Sequence, residues 1–117
     1  MNTPIILASS SETRADMLRA AGIVIDIQPA RVDETSLKAA LISEGATARD
    51  IADALAEAKA RRVANRNPEA FVLGADQVLT CQGQLFDKPE TLDAARKQLR
   101  ALRGQTHELL SAAVIYH

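Results

Sequence analysis

Cysteine occurs once, tryptophan not at all, and aromatic rings only three times in 117 residues, as Phe71, Phe86 and Tyr116. A lone Cys81 excludes an internal disulfide framework and any multi-cysteine zinc site. An excess of one charge is also missing: 14 Lys and Arg face 15 Asp and Glu, for a net charge of −1. A general nucleic-acid coat needs a basic surplus, so that class falls away. No stretch approaches the ~20 apolar residues of a membrane-spanning helix. The opening MNTPIILASS has no basic start and soon reaches serines, so it does not read as a signal peptide, and the cytoplasm is the expected location. With 5 Gly and 4 Pro there is no flexible linker, and neither a repeat nor a low-complexity segment is visible.

What is present is ordinary for a globular chain: 47% hydrophobic and 25% charged residues, which argues against disorder. Its 22 alanines imply a core of Leu, Ile, Val and Ala that gains little from large rings. The apolar run at 4–8 reads as a buried strand. Ser11 caps a following helix, with Met17, Leu18 and Ala21 on one face, and Gly22 closes it. A second strand covers 23–27, and 31–35 is a polar connection. Helices follow near 37–45 and, capped by Thr47, up to Asn65. A third strand spans 71–75, and a hairpin joins 78–80 to 84–86 through Gln82-Gly83. The spacing predicts a helix over 92–102 with Leu92, Ala95, Leu99 and Leu102 on its buried side. A last apolar strand covers 109–116. Strands alternating with helices point to one mixed α/β domain, or part of one. Ending on an apolar strand without a polar tail, the chain is expected to be a fragment.

Several places carry reactive side chains. Ser9, Ser10 and Ser11 with Arg14 sit at a strand end and helix start, where free N–H groups and the helix dipole favour an anion. They read as a phosphate seat or, more blandly, as caps beside a surface arginine. The glycine-rich P-loop pattern is absent. Asp33 and Glu34 form a loop pair suited to a hard divalent cation or simply to solvent. Asp76, directly after the third strand, lies where α/β sheets bind ligands, and Gly74 permits close approach. It is the leading acid/base or metal candidate, with an Asx-turn as the alternative. Lys59 and Lys88 are a fourth candidate, neither specific alone: Lys59, in a helix, has as its bland reading a solvated face with Arg61 and Arg62, and Lys88, held before Pro89, could meet a phosphate as a point charge. His107 has no second histidine near it and Cys81 is distant, so neither a histidine metal site nor a Cys–His dyad is supported.

In order and spacing, six segments together resemble the Maf family of nucleoside triphosphate pyrophosphatases across residues 1–117. They are Leu7-Ala8-Ser9-Ser10-Ser11 with Arg14, Val32-Asp33-Glu34, Leu55-Ala56 with Lys59-Ala60, Gly74-Ala75-Asp76-Gln77, Lys88-Pro89, and Gly104-Gln105-Thr106-His107. The resemblance implies a twisted mixed β-sheet with flanking helices, related to the inosine triphosphate pyrophosphatases and here lacking the family's C-terminal part. It also implies cleavage of a nucleotide's α–β phosphoanhydride to a monophosphate and pyrophosphate, with Mg²⁺ or Mn²⁺. By position, Asp76 would accept a proton from water and touch the metal, with Glu34 as a metal or water ligand. Ser9, Ser11, Arg14 and Lys59 would bind substrate, Lys88 would act on the triphosphate path, and Thr13 and Gln77 would stand where the base is selected. The segment Ser11-Glu12-Thr13-Arg14 departs from the Ser-Pro-Arg-Arg of many members. Gln77, in place of threonine, resembles the branch acting on 7-methyl-GTP. The implied partner is a nucleoside triphosphate, with a homodimer as the further expectation because an unfinished sheet edge invites pairing. A nucleotide-binding module without turnover, or an interaction element, are the competing expectations.

Overall fold

The computed structural model of the chain describes residues 4–117. Strand β1 (Ile5–Leu7) runs parallel to β2 (Ile25–Ile27) on one side and to β3 (Val72–Cys81) on the other. Its unbroken apolar run suits a strand inside a parallel group, and Ile6 and Leu7 are buried. β4 (Gln84–Phe86) returns antiparallel on the end of β3 through a turn in which Gln82 and Gly83 both have positive φ. That is the two-residue hairpin turn the Gln-Gly pair predicts. β5 (His107–Tyr116) runs antiparallel along all of β3, from Val72 opposite Tyr116 to Cys81 opposite His107.

Because β5 occupies one edge of β3 throughout, β1 and β4 share the other. β1 pairs with Val72 and Leu73, and β4 pairs with Leu79, Thr80 and Cys81. The stretch from Gly74 to Val78 is therefore an opening in the sheet between two partners. The sequence reading broke this region into two strands at Asp76-Gln77. Instead β3 is continuous, because β5 supplies ladder partners across the polar pair. Asp76 thus lies within a strand, not beyond its end, and it faces an opening only because β1 stops at Leu7.

Helix α1 (Glu12–Ala20) is capped by Ser11, α2 (Glu34–Ser43) by Asp33, α3 (Ala48–Ala64) by Thr47 in a capping box with Asp50, and α4 (Leu92–Leu102) by Thr91. α3 covers one face of β3 and β5. Its stripe Ile51, Ala52, Leu55, Ala56, Ala60 and Val63 is wholly buried against Val72, Val78 and Ala112. Gly74 makes this contact possible: a Cβ there would overlap the Ala56 carbonyl oxygen and stand 2.7 Å from the Ala60 nitrogen. The close approach inferred for Gly74 is real, and it admits a helix.

Two expectations about apolar faces fail. In α1 only Ala15 is buried and Met17 is exposed. In α4 no residue is buried, so Leu92 and Leu99, placed on its inner side by spacing, stand in solvent. Helical periodicity identifies a face that wants cover; among the described residues nothing covers this one. No helix of the described residues is long and apolar enough to cross a membrane.

Candidate active site

The small-on-small contact of Ala56 and Ala60 with Gly74 sets the chemistry beside it. Lys59 lies at the edge of the α3 stripe, and the close approach brings its Nζ to 3.0 Å from Asp76 Oδ1. The same Nζ lies 2.8 Å from Glu34 Oε1 at the start of α2. One ammonium therefore bridges two carboxylates from different elements. The bland alternative for Lys59, a solvated face, does not hold: Arg61 and Arg62 are exposed, and Lys59 points inward. Asp76 is 8% exposed, and its Oδ2 is buried without a hydrogen-bond partner among the described residues. A bare buried carboxylate oxygen is costly, so Oδ2 is an acceptor waiting for a donor or a cation.

The acid pair predicted at 33–34 divides its labour. Asp33 caps α2, accepting from the Ser36 backbone N–H at 3.1 Å and from the Ser36 hydroxyl at 2.8 Å. These bonds, the backbone one first, hold its carboxyl below the usual range. Glu34 is left to meet Lys59. At the end of β1, Ser9 is buried, and its Oγ accepts from the Ser11 N–H at 3.0 Å and from Arg14 Nη1 at 3.4 Å. Ser11 Oγ accepts from the Arg14 N–H, which is its capping bond. Capping and the folding of Arg14 onto Ser9 are thus one local structure.

All nine predicted site residues line a single cleft of about 1150 Å³: Ser9, Ser11, Thr13, Arg14, Glu34, Lys59, Asp76, Gln77 and Lys88. They are not all in contact. Glu34, Lys59 and Asp76 form one group and Ser9, Ser11 and Arg14 another. Gln77 points to the other sheet face and donates from Nε2 to Ser111 Oγ at 3.0 Å. Thr13 and Lys88 stand exposed on the rim. The sequence reading missed Arg31 and Lys38. Lys38 is one helical turn after Glu34, a spacing that puts both on one face of α2. It pairs with Asp87 at 2.7 Å and ties α2 to the segment carrying Lys88.

The cleft lining holds five cations (Arg14, Arg31, Lys38, Lys59, Lys88) and five acids (Glu12, Asp33, Glu34, Asp76, Asp87). A neutral lining does not by itself balance a polyphosphate. No cluster of three His, Cys, Asp or Glu capable of caging a metal occurs among the described residues. Two carboxylates, one with an unpartnered oxygen, do fit the pattern of a Mg²⁺-type ion whose remaining ligands come from phosphates and water.

Fold and site together define a mixed α/β protein with an acid-and-cation cleft at an opening in its sheet. Residues 4–117 match the Maf-like protein family, and the chain belongs to it. It is 56% identical over 116 residues to a nucleoside triphosphate pyrophosphatase of Ruegeria sp. (strain TM1040), covering 99% of this chain and 58% of that protein. A 7-methyl-GTP pyrophosphatase of Mesorhizobium japonicum (strain LMG 29417 / CECT 9101 / MAFF 303099) is 48% identical over 115 residues, covering 98% of this chain and 58% of the relative. The chain thus spans somewhat under two thirds of the length of these curated relatives.

Proposed function

We propose that this chain carries the reaction centre of a nucleoside triphosphate pyrophosphatase, releasing pyrophosphate and a nucleoside monophosphate. The observation that carries this reading is the buried, unpartnered Oδ2 of Asp76 on the cleft wall, beside an Oδ1 already held by Lys59. Such a carboxylate is fixed in orientation, and its second oxygen, closed to solvent in this structure, would take a proton from a water brought in with the nucleotide. The water oxygen attacks phosphorus at the α–β bridge, the bridging P–O bond breaks, and pyrophosphate leaves with the electron pair. Arg14, Arg31 and Lys88 supply positive charge to the phosphates, while the Ser11-capped start of α1 offers N–H groups. Glu34 and Asp76 are the residues that would hold Mg²⁺ or Mn²⁺. When bound, the ion would offset the phosphate charge that the neutral lining leaves unbalanced.

The far wall differs in character. Gln77, Leu79, Phe86 and Leu109 offer an amide among apolar side chains, a suitable seat for a heterocycle. With Gln77 and with relatives of both names, a 7-methylated guanine nucleotide is the preferred substrate. The test measures pyrophosphate release from 7-methyl-GTP, GTP and UTP with Mg²⁺, Mn²⁺ or a chelator. Metal-dependent release, fastest with 7-methyl-GTP, is expected. Orthophosphate as the product, or nucleotide binding with no release above the Asp76→Asn background, overturns the reading.

A further inference from the structure

We propose that Lys38 and Gln98 are positioning residues for Lys88, acting on it through Asp87. This deepens the pyrophosphatase reading and rests on it, because Lys88 matters only where a phosphate is bound. Asp87 stands next to the lysine offered to the phosphates, with its side chain 80% exposed on the cleft wall. A bare carboxylate there would repel a polyphosphate. Two bonds from two helices give it a different use. Lys38 Nζ, from α2, donates to Asp87 Oδ1 at 2.7 Å, and Gln98 Nε2, from α4, donates to the Asp87 carbonyl oxygen at 2.7 Å. Both the side chain and the backbone of residue 87 are therefore held. On the other side, Pro89 fixes its own φ and confines the Lys88 backbone to extended conformations. Lys88 thus leaves a segment tethered before and after it. Only its flexible side chain remains to be ordered when a phosphate arrives.

α2 makes this tether part of the site. Glu34, in its first turn, lies 2.8 Å from Lys59 Nζ, and Lys59 in turn holds Asp76. Lys38 follows one helical turn later. The same face of α2 therefore carries one contact to the acid centre and one to the segment before Lys88. The helix is a stiff spacer between the carboxylate that takes the proton and the cation that meets the phosphates. Folding stability does not explain the Lys38–Asp87 pair, since an ion pair with one partner so exposed contributes little. Placement of a charged group does count at a reaction centre, where a small displacement is costly.

The test measures pyrophosphate release from 7-methyl-GTP with Mg²⁺ by the chain and its variants, and backbone NMR order parameters without nucleotide. Asp87→Ala removes a negative charge from the cleft, so electrostatics alone would raise kcat/KM, whereas lost positioning should lower it about tenfold. Asp87→Asn keeps an oxygen for Lys38 and should recover most of that loss. Gln98→Met changes no charge and should lower kcat/KM about threefold. In a Lys88→Met background, Asp87→Ala and Gln98→Met should both fall silent, within about twofold, because the group they place is gone. Order parameters of the 87 and 88 amides should drop from ~0.85 toward ~0.6 in the chain carrying both Lys38→Met and Gln98→Met. A rise in kcat/KM with Asp87→Ala, undiminished losses in the Lys88→Met background, or unchanged order parameters overturns the proposal. Failure of the pyrophosphatase reading looks different: no release by the wild-type chain, with the 87–88 segment still loosened by the paired substitutions. That outcome sinks the reading and still supports the tether.

Discussion

Lys59 touches both Glu34 and Asp76, and removing it would strand a buried carboxylate rather than merely delete a bond. Lys59→Met should destabilise the fold by about 3 kcal/mol, because a nearly buried charge loses its counter-charge. Adding Asp76→Asn should recover part of that loss, since the two substitutions then remove a pair. Urea unfolding of the single and double variants measures the coupling, and strict additivity would show that the ion pair is energetically silent. Asp76→Asn alone should lower pyrophosphate release by about 10²-fold or more while the Lys59 ammonium still donates to the amide oxygen that replaces Oδ1. At this scale the sequence was informative about which side chains gather, since all nine candidates line one cleft. It did not show their geometry. Lys59 looked like one more cation on a charged helix face, and only the closeness of α3 to Gly74 turns it inward.

Elements follow local rules where those rules are local. Ser11 and Thr47 cap as their types predict, and Gln82-Gly83 turns the hairpin. Long-range pairing is what the pattern could not reveal. The polar Asp76-Gln77 step looked like a strand end because its ladder partners, Ala112 and Ser111, lie over thirty residues away. Gly74 is the element-scale counterpart of Lys59. Gly74→Ala should cost at least about 1–3 kcal/mol, since the added Cβ would meet helix backbone that has no rotamer to escape into. It should also loosen the Lys59–Asp76 contact, visible as a larger loss of activity than of stability at permissive temperature. The start of α2 has its own pH dependence. Asp33 is favoured as a carboxylate by the Ser36 bonds, so its folded pKa lies below its unfolded one. The stabilisation is present above the ordinary carboxylate pKa and is lost as pH falls through the lowered value. Asp33→Asn keeps a capping side chain without the charge. The stability difference between wild type and this variant should therefore narrow on acidification below about pH 4, the ordinary aspartate range. A difference that stayed constant would contradict the capping role.

At the scale of the molecule, the chain is more open than its length requires. Its radius of gyration is 15.7 Å, against about 13 Å for a compact domain of this size. Its extents are 50 × 33 × 23 Å. Among the described residues one face of the sheet is sealed by α3 and the other is not, so the core is a single layer of contacts rather than a filled interior. This has a measurable consequence in unfolding. An unfolded chain of this mass exposes about 18,000 Å², so folding removes about 10,000 Å² here, against about 12,000 Å² for a closed domain. The slope of stability against denaturant scales with that change. The urea m-value should therefore be about one sixth smaller than expected for a closed domain of this length. The same deficit should appear in the heat capacity of unfolding, because that quantity also follows the surface exposed. If the isolated chain already shows the full m-value, the open face closes in solution by some other contact, and the single-layer core does not describe the folded state.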